Sequence, residues 1–329
     1  MVIDIHAHII VPEILREAAP DESWRPAITW QKGQQVIDFA NKQIRSAVRE
    51  FVHIEHILEE QEKAGVDRVV LAPWVSIVRY DAEPQDGLRT SRIQNEALAR
   101  IAQQQPDRVS TFGTVPLGAP ELAAQEVPAL MQMPGMVGIE VAASAKGDYL
   151  GHERFRPFWA ACEESAAVVF IHPTTRGFNL PALDEFYLWN TVGNPLETAI
   201  TAAHMVMSGL MEQHPNLKVI LAHGGGALLA LRGRLRHWHT FQPQACAHLT
   251  ESPLESLKRF YYDTLTHDAD LLRALIDFAG AEHILVGSDY PFDMGDEHPA
   301  DVVHELGLEA GTEAKILQEN AVQLLGLEG

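Results

Sequence analysis

Eight short runs rich in Val, Ile, Leu and aromatic residues recur along this 329-residue chain, separated by longer segments with helical spacing. They lie near residues 2–8, 67–74, 109–116, 136–143, 168–173, 217–223, 259–265 and 283–289. Runs of that length and composition read as strands. The clearest intervening helix is 195–213, where Leu196, Ile200, Ala203, Met207 and Leu210 return every three or four positions. It opens with Asn194-Pro195, a capping residue followed by proline at the first helical position. Further helices are expected over 53–64, 91–105, 120–132, 153–166, 225–238, 268–279, 299–306 and 312–325. Strands alternating with helices call for a parallel sheet, either open and doubly wound or closed into a barrel.

Metal-ligand residues choose between the two. Four runs end in one: Ile3-Asp4-Ile5-His6-Ala7-His8, Val169-Phe170-Ile171-His172, Val219-Ile220-Leu221-Ala222-His223 and Leu285-Val286-Gly287-Ser288-Asp289. Residues two apart on a strand share a face, so His6 and His8 can reach one ion together. The runs concerned are the first, fifth, sixth and eighth. An open sheet holds its first and eighth strands far apart, whereas a barrel gathers all eight ends around one rim. The expectation is therefore an α/β (β/α)8 TIM barrel, with residues 1–329 forming a single domain.

The segment 11–52 is too long for a simple strand-to-helix loop and carries Pro12, Pro20, Pro26, Trp24 and Trp30. It reads as an insertion after the first strand, a lid over the barrel mouth. A net charge of −20 with no long basic run argues against nucleic acid and anionic membrane surfaces as partners. The absence of a long apolar stretch or an apolar leader, with only Cys162 and Cys246 as thiols, fits a cytoplasmic protein.

His6, His8, His172 and Asp289 make a set of three nitrogens and one oxygen that suits a single divalent ion, Zn2+ first and Mn2+ second. Asp289 either ligates the ion or hydrogen-bonds to its water. His223 precedes Gly224-Gly225-Gly226 and is either a fourth nitrogen ligand or a general acid/base beside that water. An esterase reading of His-Gly-Gly-Gly fails for want of a Gly-x-Ser-x-Gly elbow, and no Gly-x-Gly-x-x-Gly loop follows a strand. His237 and His239 repeat the His-x-His spacing, but on a helix they diverge by about 200°. His267 and His298 lie just beyond the last two strands, where they could line the mouth. The fourth strand, Val137-Gly138-Ile139-Glu140-Val141, offers no lysine to bridge a second metal.

With Asp-Ile-His-Ala-His, Phe-Ile-His-Pro, Leu-Ala-His-Gly-Gly-Gly and Gly-Ser-Asp-Tyr-Pro-Phe in this order, the chain resembles the amidohydrolase superfamily, and within it the aminocarboxymuconate-semialdehyde decarboxylases and their hydroxybenzoate-acting relatives. Gly193-Asn194-Pro195-Leu196-Glu197-Thr198 and Phe260-Tyr261-Tyr262-Asp263 extend the likeness. The resemblance implies that His6, His8, His172 and Asp289 bind the metal. It further implies that His223 handles the proton, that Arg45 holds a substrate carboxylate, that Phe292 packs at the pocket wall, and that the protein is a homodimer. Two positions depart from the pattern. Gln242-Pro243 stands where a partner-supplied arginine precedes proline, and Asn190 replaces a tryptophan. Without that second clamp, a substrate with one acidic group is favoured over a dicarboxylate. The implied activity is metal-dependent, cofactor-independent decarboxylation of a small, aromatic or muconate-like carboxylate. The same site would also serve a hydrolase of amides, lactones or activated C–C bonds that uses metal-bound hydroxide.

Overall fold

A computed structural model describes the chain apart from residues 16–21, 23, 24, 26, 32, 33, 40, 41, 46, 47, 175–179, 328 and 329; within 27–49 it describes only the backbone of residues 27, 28, 30, 34, 35, 38, 39, 42–45, 48 and 49. Eight strands pair in parallel in chain order: β1 (Ile3–Ile9), β2 (Arg68–Pro73), β3 (Val109–Gly113), β4 (Met136–Ala142), β5 (Val168–His172), β6 (Lys218–Leu221), β7 (Tyr261–Asp263) and β8 (Ile284–Leu285). The circle closes between the segment following β8 and β1. Ile5 N–H donates to Val286 O at 2.9 Å, Asp289 N–H to His6 O at 2.7 Å and His8 N–H to Tyr290 O at 2.7 Å. These bonds make the sheet a (β/α)8 barrel, as the spread of ligands required.

Each strand sends alternate residues to opposite faces. Val69, Leu71, Ile139, Val141, Val169, Ile171, Val219 and Leu221 belong to the apolar layer shared with the surrounding helices. Val70, Phe112, Phe170, Ile220 and Leu285 pack inside, and Ala321, Leu324 and Leu325 of the last helix close that cluster at the start of β8. There Asn320 Nδ2 donates to Ile284 O and Ala281 O, both at 2.8 Å. With one end plugged by apolar packing, the polar inward residues sit toward the other end, where the strands finish.

The expected helices form at α1 (Ile54–Lys63), α2 (Pro84–Gln104), α3 (Pro120–Leu130), α4 (Arg156–Glu164), α5 (Asn194–Met207), α6 (Leu228–Phe241) and α7 (Ala269–Ala279). Helix α2 starts seven residues earlier than the apolar spacing suggested, because Pro84 at its first turn sets the start. The expected 195–213 helix is interrupted at Gly209 (φ +74°) and resumes over Leu210–Gln213. Within the 11–52 insertion, strands Ala27–Gln31, Gln34–Phe39 and Lys42–Arg45 form an antiparallel sheet that the sequence reading had not anticipated. The insertion returns to the barrel through Phe51, whose carbonyl accepts from Ile10 N–H at 2.7 Å and whose ring stacks on Trp74.

Candidate metal centre

Strand β1 carries His6 and His8 inward together, both fully buried. Two residues earlier, Asp4 accepts from His6 N–H (2.9 Å), Ser288 N–H (3.1 Å) and Ser288 Oγ–H (2.5 Å), tying the first strand to the segment that follows the last. Burial pushes the Asp4 carboxyl up to about 6 despite those bonds. His172 ends β5, and its Nδ1 lies 2.9 Å from Pro173 O. A carbonyl only accepts, so Nδ1 carries the proton and Nε2 presents a lone pair. His6 is oriented the same way by Asp263, the last residue of β7, with Nδ1 2.7 Å from Oδ2. Asp263 also accepts from the backbone N–H groups of His223 (2.9 Å), Gly224 (2.7 Å) and Leu265 (3.2 Å), so one carboxylate positions both a candidate ligand and the candidate acid/base.

His223 and Asp289 stand on left-handed backbone, at φ +58° and +56°. Such non-glycine conformations cost energy and concentrate at functional sites. Two glycines make the crowding possible. A Cβ on Gly287 would lie 2.9 Å from the Cβ atoms of both His6 and Asp263, and one on Gly226 (φ +60°) would lie 2.1 Å from Pro195 O.

These elements aim four side chains at one point. Asp289 Oδ1 is 3.1 Å from His6 Nε2, 3.1 Å from His8 Nε2 and 3.6 Å from His172 Nε2. All four atoms are buried, and none makes a hydrogen bond among the described residues. Unpartnered buried polar atoms are costly, and four at one point need a common partner. Ligand atoms about 2.0–2.2 Å from one small divalent ion stand roughly 3.0–3.5 Å from each other, close to the spacing found. The residues fit a metal. His223 joins from the side, its Nε2 3.3 Å from Asp289 Oδ2. The ligand-type atoms of His6, His172, His223 and Asp289 all lie within 4.8 Å of one another.

The electrostatics suit a cation. Burial holds His8 below its usual pKa, and burial drives His172 down to about 3, so both imidazoles are neutral and able to ligate. Burial pulls His6 down as well, but the carboxylates of Asp289 and Asp263 outweigh it and hold it up at about 10. Burial would raise Asp289, yet the His6 charge outweighs it and keeps the carboxylate ionised, well below the usual carboxylate range. Burial and the same His6 partnership likewise compete at Asp263, and the partnership holds it low. Glu140, inward on β4 and fully buried, is pushed well up by burial.

Beside this cluster lies a cavity of about 220 Å3 reached by His223 and Asp289 and lined further by Asn190, Asn194, Thr266 and His267. No lysine or arginine lines it among the described residues. Asn194 Oδ1 is buried there without a hydrogen-bond partner among the described residues. His267 reaches the mouth as its position suggested, with Nε2 2.9 Å from Met294 O. Phe292 is absent from that lining. Its ring instead packs on His8 (centroids 5.2 Å apart), Phe51 (5.1 Å) and Trp74 (5.3 Å). Arg45 closes the insertion's last strand, and its side chain lies outside the described residues. His237 stacks on Phe241 on α6, exposed and apart from His239 as a ligand.

Sequence reasoning missed Asp263, Glu140 and Asp4. An acidic residue inside or ending an apolar strand was their common signal, because nothing compels burial of a carboxyl there except a partner in the interior.

The amidohydrolase family model matches residues 3–327. The 2-amino-3-carboxymuconate-6-semialdehyde decarboxylase of Dictyostelium discoideum is 30% identical over 273 residues, 82% of this chain and 76% of that protein. The gamma-resorcylate decarboxylase of a Rhizobium species is 25% identical over 344 residues, covering 99% of this chain and 98% of its own. Among solved structures, a dihydroxybenzoic acid decarboxylase from a Polaromonas species, with bound manganese and the inhibitor 2-nitroresorcinol, superposes with a TM-score of 0.79 at 23% identity, covering 99% of this chain and 97% of that one. The last likeness speaks for the barrel. The family match runs from the first strand to the last helix and takes in every histidine and aspartate of the cluster, so the chain belongs to the amidohydrolase family.

Proposed function

We propose that the protein is a metal-dependent decarboxylase that uses no organic cofactor and acts on a small carboxylate, aromatic or muconate-like. The observation that carries this reading is the convergence of three imidazole Nε2 atoms and Asp289 Oδ1, unpartnered, beside a cavity that His223 reaches. His6, His8, His172 and Asp289 would hold the ion. Zn2+ suits this imidazole–carboxylate set best, and the manganese in the Polaromonas relative supports Mn2+ as the second choice. A bound divalent ion supplies Lewis acidity at a substrate oxygen next to the departing carboxylate.

Loss of CO2 leaves the electron pair of the broken C–C bond on the substrate carbon, and a proton takes the place of the departed group. No electron acceptor is needed, but one acid is. His223 fills that role: it lines the cavity, and Asp289 Oδ2 at 3.3 Å holds its Nε2 in place. Asn190 and Asn194 face the same space with neutral amides, suited to a hydroxyl or carbonyl rather than a second carboxylate. Arg45 would meet the single carboxylate, and Phe292 would hold His8 from behind. The insertion would close over the mouth, residues 1–329 would act as one domain, and a homodimer would cover exposed Phe186, Val192 and Phe241.

The test is to incubate the Zn2+- or Mn2+-loaded protein with hydroxybenzoates, carboxymuconates and aryl lactones. Stoichiometric CO2 with the decarboxylated product supports the reading. Acid release without gas overturns it in favour of hydrolysis.

A further inference from the structure

Each imidazole that ligates a metal through Nε2 needs its Nδ1 proton held, because the partner at Nδ1 fixes both tautomer and ring orientation. His6 has Asp263 and His172 has Pro173 O. The Nδ1 of His8 is buried without a hydrogen bond among the described residues. The group facing it is Glu140 on β4, whose Oε1 lies 3.6 Å away. Glu140 has no exposure, and neither of its oxygens has a hydrogen-bond partner among the described residues. Its neighbours Ile139 and Val141 pack outward into the helix layer, so strand alternation turns Glu140 alone toward the barrel axis.

An unpartnered buried carboxyl is one of the more destabilising groups a barrel interior can contain, and an apolar side chain of the same size would be better for the fold. Glu140 Oε1 faces His8 Nδ1, whereas the Asp289 Oδ1 of the cluster faces His8 Nε2 at 3.1 Å, so Glu140 stands behind the ring rather than among the converging atoms. A small rotation of the His8 ring brings the 3.6 Å separation within hydrogen-bond reach.

We propose that Glu140 is a positioning residue for the metal: it accepts a hydrogen bond from His8 Nδ1–H and so commits His8 Nε2 to the ion. This inference rests on the reading of His8 as a ligand. The geometry is protonation-independent, since a carboxylate, a carboxyl carbonyl and an amide carbonyl all accept.

The experiment compares Glu140→Leu, Glu140→Gln and His8→Ala by two readouts: the Zn2+ dissociation constant from competition with a chromophoric chelator, and the melting temperature of the metal-stripped protein. Glu140→Leu is expected to weaken Zn2+ binding about 10–100-fold, the range for removal of a metal ligand's supporting partner. Its metal-stripped form should melt no lower than the parent, because an unpartnered carboxyl has been replaced by an apolar group. Glu140→Gln should recover most of the affinity. Parental affinity in Glu140→Leu overturns the proposal, and so does an affinity loss that only follows a loss of metal-stripped stability. If His8→Ala itself binds Zn2+ like the parent, the ligand reading of His8 is what fails, and the role of Glu140 falls with it.

Discussion

Asp263→Asn isolates the tautomer argument at the other β1 histidine. In the parent, Oδ2 accepts from His6 Nδ1–H at 2.7 Å and from His223 N–H at 2.9 Å, while Oδ1 accepts from Gly224 N–H at 2.7 Å and Leu265 N–H at 3.2 Å. An asparagine keeps one oxygen and turns its other atom into an NH2 donor. Placing that NH2 on the Oδ1 side sets it against two backbone donors, so it takes the Oδ2 position, against one backbone donor and His6. There it donates to Nδ1, the remaining imidazole proton is confined to Nε2, and the lone pair that would meet an ion is lost. Metal affinity should fall about 10–100-fold, or about 1.4–2.7 kcal/mol. The unpartnered His223 N–H should cost about 1–3 kcal/mol of stability, lowering the melting point by several degrees in a chain of this size. Chelator competition gives the first number and calorimetry of the stripped protein the second. Parental affinity in Asp263→Asn, with the expected loss of stability, would show that Asp263 is purely structural and that His6 does not ligate through Nε2.

His223→Asn should retain the metal but lose about 10²–10⁴ in kcat if the imidazole delivers the proton, as metal analysis and CO2 release together would report. Loss of the ion would make His223 a ligand instead. Asn194→Ala should raise KM about tenfold while leaving the melting temperature unchanged, since Asn194 Oδ1 has no hydrogen-bond partner to lose among the described residues; an unchanged KM refutes a substrate contact. Asp4 titrates near 6 in the fold, above its reference value of 3.8. Between pH 4 and 6 the folded protein therefore binds more protons than the unfolded chain at this site, and its contribution to stability falls as pH rises, by about 2–3 kcal/mol in all. Asp4→Asn keeps the acceptor for His6 N–H and Ser288 N–H and lets Ser288 Oγ turn to accept, so its melting point should gain on the parent from pH 4 to pH 7. A difference that stays flat or shrinks over that range contradicts the assignment.

All eight strands were legible because each is a short apolar run between segments of different periodicity, and that contrast is local. The cluster was legible for the same reason. His6 and His8 are two apart on one strand, and His172, His223 and Asp289 each end a run, so topology alone brings them to one rim. The three-stranded sheet in the insertion escaped notice, since Gln34–Phe39 and Lys42–Arg45 alternate too weakly to stand out from a loop. The supporting carboxyls escaped for a different reason. Asp263 is 257 residues from the histidine it orients, and no spacing rule links positions that meet only across a closed sheet.

The order of strands and helices, and the end of the barrel at which metal-binding chemistry collects, are properties of the chain read by itself: periodicity and residue type decide them one segment at a time. Which nitrogen of each histidine faces the centre of the cluster, which carboxyl stands behind it, and whether a buried acid has a partner were decided only by closure of the barrel. Those properties belong to distances between strands, and such distances do not exist until the first strand bonds to the segment after the last.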